Sequence, residues 1–190
     1  MNAWELPTSL EIGGVGFSIR SDFRAILKIL SCLSDPQYEP DEKQLIFLII
    51  FYPNYKKIPS ECYKEALEKA VDFIDMGMGE ETKKRPTTMD WAKDSALIIP
   101  AVNRVLGQEV RALDYMHWWT FLGAYMEIGG ECLFSNVLNI RQKRAKGQKL
   151  EKYELDFYRE NKSIIDLGTE QKRSTEELNA LREIFGFNRK

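Results

Sequence analysis

From residue 21 onward the apolar residues recur at intervals of three and four, and this helical periodicity limits the possible folds more than any other feature. The first such stripe consists of Phe23, Ile26, Leu27, Leu30 and Leu33. Similar stripes return after each Pro- or Gly-containing break in the chain. The pattern predicts an all-α protein, a multi-helix bundle of about eight helices.

The first twenty residues follow a different pattern. Short alternating segments lie on either side of Gly13 and Gly14, and two glycines supply the positive φ angles that a tight hairpin turn needs. We therefore predict a small β-hairpin over about residues 9–20. Because two strands alone are only marginally stable in water, the hairpin must pack on helices or pair with another chain.

The helix starts are predicted from residues that favour the N-cap position. The expected caps are Ser21 or Asp22, Asp41 with Gln44, Ser60, Asp90, Asp114, and Ser174 with Glu177. Pro100 interrupts the apolar run after Asp90, so a kink or two short helices are expected there. Residues 115–128 are apolar nearly all round, which predicts that they form the most buried helix.

A segment rich in Gly, Pro and charge, residues 77–89, is predicted to be a loop or linker. It separates a helical half at residues 21–76, preceded by the hairpin at residues 1–20, from a second helical half at residues 90–190. We expect one compact domain overall, since the chain has only 190 residues.

The composition argues against several classes of protein. With 27 basic and 29 acidic residues, the net charge of −2 argues against binding nucleic acid through bulk electrostatics. The three cysteines are widely spaced and odd in number, as expected of buried thiols in a reducing cytosol. No signal peptide is predicted, and the longest apolar run, residues 45–52, is too short to cross a membrane. We expect a cytoplasmic protein.

The sequence has no pattern typical of an enzyme or a metalloprotein. A single histidine cannot form a multi-histidine metal site, and Gly13 to Gly16 lack the spacing of a phosphate-binding loop. No signature of a serine or cysteine nucleophile is present. We expect no catalytic activity and no cofactor.

Three adjacent residues, His117, Trp118 and Trp119, are candidates for a binding surface, because indoles and an imidazole can grip an apolar partner or stack on a base. Adjacent helical residues point about 100° apart, however, so they cannot form one platform. At least one Trp must then lie in the core, and the favoured interpretation is a core segment.

A basic run follows, with Arg141, Lys143, Arg144 and three further lysines up to Lys152, opposed by Glu151 alone. Such a run can contact phosphates or an acidic partner helix. It is also typical of a solvated helix end, where basic residues favour the helix dipole. No aromatic residue is interleaved with it, so nucleic acid binding is not favoured.

Two apolar stripes lie in the C-terminal third. Leu150, Tyr153, Phe157 and Ile164 form the first, and Leu178, Leu181 and Phe185 form the second. Both are candidates for client binding, since an amphipathic helix offers an apolar strip with a polar rim. The alternative, which we favour, is that both stripes pack on the helical body.

Three stretches together resemble the bacteriophage Gp15 family of Firmicute phages and prophages. They are LPTSLEIGG at residues 6–14 leading into IRSDFR at 19–24, MHWWTFL at 116–122, and IRQK at 140–143 with KGQKL at 146–150. Their order and spacing match along nearly the whole chain.

This resemblance implies a tail-assembly chaperone, by the size and helical make-up of the family and its usual place beside the tape-measure gene. The protein would bind the tape-measure protein and other phage tail proteins in the host cytoplasm, with self-association and without catalysis. A structural tail or connector component is the alternative, and a nucleic-acid-binding accessory protein is a less favoured one. The partner-binding candidates are His117, Trp118, Phe121, Arg141, Lys143, Arg144, Leu178, Leu181 and Phe185.

Overall fold

The computed structural model describes residues 4–79, 88–168 and 174–185. In this part of the chain a two-stranded hairpin precedes nine α-helices, which confirms the predicted all-α class. The strands are β1 (Ser9–Ile12) and β2 (Val15–Ser18). The helices are α1 (Phe23–Ser34), α2 (Pro40–Phe51), α3 (Tyr63–Ile74), α4 (Ser95–Leu106), α5 (Trp118–Met126), α6 (Leu133–Ala145), α7 (Lys152–Glu160), α8 (Lys162–Ile165) and α9 (Thr175–Phe185).

The hairpin lies on α3. Its turn is formed by Gly13 and Gly14, with φ angles of 55° and 78°, as the two glycines predict. A side chain at Gly13 would also come within 3.2 Å of the Cys62 sulfur. Two contacts tie the turn to the helix: Glu65 accepts the Gly13 N–H at 3.1 Å, and Lys69 donates to the Glu11 carbonyl at 2.6 Å. The hairpin therefore packs on helices, one of the two ways in which we expected it to be stabilised.

The predicted caps are correct at the first and last helices. Asp22 caps α1 by accepting the Arg24 N–H at 2.9 Å. Ser174 and Glu177 form the expected capping box at α9, with hydrogen bonds of 2.9 and 3.2 Å. Gly186, which would follow that helix, lies outside the described residues, as does most of the predicted loop at residues 77–89.

Two predicted caps in the first half are wrong. Helix α2 begins with Pro40, because proline is preorganised for the first helical position and needs no N–H partner there. Glu39 and Glu42 therefore form its capping box, in place of Asp41 and Gln44. Ser60 opens a single 3₁₀ turn, Ser60–Cys62, so that α3 starts two residues later than predicted, after Cys62.

Two predicted caps in the second half are also wrong. Asp90 accepts backbone N–H groups within a turn, and α4 starts only after Asp94 and then continues through Pro100 as one helix. Asp114 lies before an extended segment, in which His117 forms an antiparallel bridge with Asp22. Helix α5 is therefore shorter than residues 115–128.

The charged helix predicted around residues 150–164 is divided into α7 and α8 at Asn161, which explains nine helices where about eight were expected. The Asn161 side chain donates to the Phe157 carbonyl at 3.0 Å. Side-chain amides that bond nearby backbone groups in this way compete with the helical hydrogen bonds.

One large apolar cluster forms the core. It extends from Leu10 in the hairpin to Phe134 in α6 and includes residues from both sides of the 77–89 segment. A smaller cluster joins α6 to α8 through Val137, Ile140 and Ile165. Of the α9 side chains that the structure describes, neither Leu178 nor Leu181 belongs to these clusters.

Candidate partner-binding surface

His117 caps α5 from inside the protein. Its Nδ1 accepts the Trp119 N–H at 3.1 Å, so the ring proton is on Nε2, which donates to the Pro7 carbonyl at 3.0 Å. Burial disfavours the charged imidazolium and lowers the pKa of His117, although the hydrogen bond to Pro7 opposes that shift. The imidazole therefore positions the N-terminal segment and the start of α5.

Both tryptophans lie in the core. The Trp118 and Trp119 indole N–H groups donate to the carbonyls of Ile74 and Phe73, at 2.8 and 2.7 Å. The Phe121 ring stacks on Phe23, with 4.6 Å between the ring centroids. These contacts favour the core interpretation of the segment over a surface platform.

Three of the predicted partner-binding residues are thus inaccessible in this structure. The exposed fractions of His117, Trp118 and Phe121 are 3%, 1% and 0%. Their side chains connect α5 to α1, α3 and the N-terminal segment, which accounts for them as determinants of the fold.

Arg141 is buried as well, in a bidentate ion pair with Asp94 whose N–O distances are 2.7 and 2.8 Å. The same guanidinium donates to the carbonyls of Ile165, Ile164 and Thr88, at 2.6, 2.7 and 3.1 Å. Because one planar group serves all these acceptors, Arg141 joins α6, α8 and the segment before α4.

The next two basic residues are paired with carboxylates. Lys143 donates to Glu154 at 2.6 Å, which lowers the pKa of Glu154 and raises that of Lys143. Arg144 donates to Asp166 at 2.5 Å and lies over the Tyr158 ring. These pairs hold α7 and α8 against α6, so the basic surface is narrower than the sequence suggests. Its exposed members are Arg144, which is paired with Asp166, and Lys146, Lys149 and Lys152.

The first C-terminal stripe packs within the molecule. Leu150, Phe157 and Ile164 contact the smaller apolar cluster, whereas Tyr153 points outward with 71% of its surface exposed. Tyr153 and Phe157 border a shallow cavity of about 210 Å³ between α6 and α7.

The second stripe faces the helical body. Leu178, Leu181 and Phe185 are all half-buried, and Arg182 on the same helix donates to Glu42 of α2 at 2.7 Å. This contact lowers the pKa of Glu42 and raises that of Arg182. In this arrangement α9 does not present its apolar face to a partner.

One apolar opening beside α5 was not identified from the sequence. We call it the methionine groove: a cavity of about 390 Å³ between α1, α3 and α5, with Met78 and Met126 exposed at its rim. Its other lining residues are Leu30, Ile74, Asp75, Gly79, Trp91, Trp118 and Leu122. Trp118 thus forms part of its floor, although little of that side chain is exposed.

A sequence signal for this groove exists only in part. Met78 lies in the predicted loop, so its apolar side chain does not belong to any predicted helical stripe. Met126 lies at the end of an apolar run. Met78 and Met126 line the same groove because of the tertiary packing of α3 and α5. Local periodicity does not specify this packing.

The groove is lined by apolar side chains and one carboxylate, Asp75. Within the described ranges, no three His, Cys, Asp or Glu side chains are grouped as a metal site would require. Nor does any helix of those ranges have the length and apolar character needed to cross a membrane. The groove is suited to binding an apolar helical face.

Comparison with known proteins gives one match. The family model described as "Bacteriophage Gp15 protein" matches residues 3–167, which is most of the chain. No curated protein and no solved structure matches the chain.

Proposed function

The chain belongs to the bacteriophage Gp15 protein family, and from this membership we propose that it is a non-enzymatic tail-assembly chaperone. It binds the tape-measure protein in the host cytoplasm during tail morphogenesis and acts with other phage tail proteins. The proposal takes its client from the position of this family beside the tape-measure gene.

The methionine groove is the observation that supports a chaperone role most directly. A chaperone for a long helical client must accept many different apolar side chains along that client. Methionine suits this task, because its unbranched and polarisable side chain adapts to partners of different shape. Met78 and Met126 both line the groove, and more than half of the surface of each is exposed.

The chemistry of the groove also defines the client segment. An amphipathic helix that places apolar residues at positions i, i+3 and i+7 on the groove would bury them against Leu30, Trp91 and Leu122.

Co-expression with the tape-measure protein of the same phage tests the proposal. We expect the wild-type chain to keep this client soluble, and Met126→Glu to abolish the effect because it places a carboxylate in the groove. Val105→Glu is the matched control, since Val105 is also exposed in the last turn of a helix but lies outside the groove.

Three outcomes separate the possibilities. If the wild-type chain does not solubilise the client, the chaperone proposal is wrong. If Met126→Glu and Met78→Glu solubilise it as well as Val105→Glu does, the client binds elsewhere. Purified virions distinguish the structural alternative, because a tail component is present in them at constant copy number and a chaperone is absent.

A further inference from the structure

The C-terminal helix α9 covers one end of α2. Arg182 donates to both carboxylate oxygens of Glu42, at 2.7 and 3.4 Å, and Glu42 is mostly buried at this contact. Nearby, Tyr38 is only 6% exposed although it belongs to neither apolar cluster. Glu42 is the main cause of the raised pKa of Arg182, with smaller electrostatic contributions from Glu39 and Tyr38. The surface under α9, which we call the α2 site, is centred on Glu42 in the first turn of α2.

Helix α9 is attached to the rest of the molecule differently from the other helices. It packs extensively against no single element of the described structure, and Leu178 and Leu181 belong to neither apolar cluster. The family match ends at residue 167, before this helix begins. Neither leucine therefore contributes to the apolar core of the described residues.

We propose that the α2 site is an interaction surface for a second copy of this chain, which inserts its own α9 in place of the resident one. The second copy is the favoured occupant because its helix is identical, so that each contact made within one chain can be made between two. Arg182 of one copy would pair with Glu42 of the next, and Leu178, Leu181 and Phe185 would turn toward the same surface.

The geometry of exchange determines the product. Reciprocal exchange closes a two-fold dimer, whereas exchange in one direction gives an open chain of subunits that can lengthen. A helix tethered to its own chain has an effective concentration on the order of millimolar, so the closed monomer dominates in dilute solution. Exchange then becomes significant where many copies are brought together.

The inference deepens the self-association that the family resemblance implies, and it rests on the proposed function for its biological role. Its test uses no client and is therefore independent of the solubility assay. A failure of exchange leaves the chaperone test unaffected, and a failure of the chaperone test leaves exchange to be measured.

Charge reversal gives a sharp experiment. E42R and R182E each place like charges at the contact, so neither variant can seat α9 on its own α2 site or on that of an identical copy. In an equal mixture, the unchanged Arg182 of the E42R chain can pair with the unchanged Glu42 of the R182E chain. In the reciprocal contact both side chains are substituted, and their charges are again opposite. We expect each variant alone to be monomeric and the mixture to form a one-to-one complex of twice the monomer mass, measured by light scattering and native mass spectrometry.

Two controls interpret the result. The E42R/R182E double variant restores the pair within one chain and should be monomeric like the wild type. Glu42 also accepts a hydrogen bond from the Glu39 N–H, and both E42R and the double variant lose this bond. A difference between these two variants therefore reports on the ion pair alone. D156R mixed with R159E reverses an exposed pair within α7 and should give no complex.

A mixture of E42R and R182E that stays monomeric overturns the proposal, as does an equal complex from the α7 pair. If E42R does not fold, the wild-type chain provides a second measurement. Near millimolar concentration it should form a dimer that R182E abolishes, and a wild-type chain that remains monomeric there also overturns the proposal.

Discussion

Loss of the Arg141 side chain leaves the Asp94 carboxylate and three backbone carbonyls without the donor that they share. Replacing it with Met removes the cation that neutralises buried Asp94 and also removes donors to the carbonyls of Ile164 and Ile165. We expect Arg141→Met to lower the free energy of unfolding by about 3–5 kcal/mol, because an unpaired charge then remains buried. Urea unfolding measures the change.

Arg159→Met is the control for that substitution, because Arg159 forms an exposed ion pair with Asp156. It should leave the urea midpoint nearly unchanged. The double variant R141M/D94L should recover only part of the loss, since the backbone carbonyls still lack their donors. Equal midpoints for Arg141→Met and Arg159→Met would show that Asp94 finds another partner or becomes protonated.

His117 makes stability depend on pH. Because its pKa in the folded protein lies below the ordinary value of 6.5, the unfolded chain takes up a proton at a pH where the folded protein does not. Stability should therefore fall as the pH decreases from 6.5 toward the folded pKa, and this contribution should be complete above 6.5. His117→Asn can still cap α5 but does not titrate, so the slope of stability against pH in this window should decrease. If the wild type and His117→Asn show the same slope of stability against pH, carboxylates rather than His117 cause the pH dependence.

Sequence reasoning predicted two of the six helix caps correctly, and both depend on local interactions. Asp22 and the pair Ser174–Glu177 act on backbone groups two or three positions away, and their types alone suggest the caps. The bond between Arg141 and Asp94 spans 47 positions, and nothing in the local pattern of charge distinguishes Arg141 from its solvated neighbours. That is why a structural arginine was grouped with a surface patch.

Among the helices, α8 and α9 should differ sharply in what their removal costs. Deleting residues 169–190 removes α9 but no member of either apolar cluster. We expect a change in Tm of no more than about 2–4 °C, which corresponds to about 1 kcal/mol in a chain of this size. Circular dichroism during heating measures it.

Deleting residues 147–190 is the matched comparison. It also removes Ile165, exposes Val137 and Ile140, and takes away two acceptors of Arg141. This chain should lose its cooperative transition or melt far below the shorter deletion. Similar melting of the two proteins would mean that α7 and α8 contribute little to the fold.

The boundaries of α5 show why helix periodicity has limits. Tyr115 and Met116 continue the apolar run, yet they lie in an extended segment: the Met116 carbonyl accepts the Phe23 N–H at 3.0 Å, and the Tyr115 hydroxyl bonds Ser21 at 2.8 Å. These long-range bonds outweigh the helical preference of the run. The existence of the helix and its burial were predictable, whereas its first residue depended on a partner 94 positions away.

At the scale of the whole molecule, the shared core predicts one unfolding transition. The main apolar cluster joins residues from both sides of the 77–89 segment, including Phe73 of α3 and Trp119 of α5. Tryptophan fluorescence, which reports mainly on the second half, and far-ultraviolet circular dichroism, which reports on all helices, should therefore give the same urea midpoint. Two separate midpoints would divide the chain into independent halves.

The indole protons of Trp118 and Trp119 are held by carbonyls at the end of α3, inside that core. They can be replaced by deuterium only when α5 separates from α3, so their exchange rates report the opening of the core while nearly every molecule remains native. A partner that binds only the closed form slows this exchange by the factor 1 + [L]/Kd. The NMR resonances of the two indole N–H groups can thus be used to follow binding in solution, with no dye and no immobilised surface.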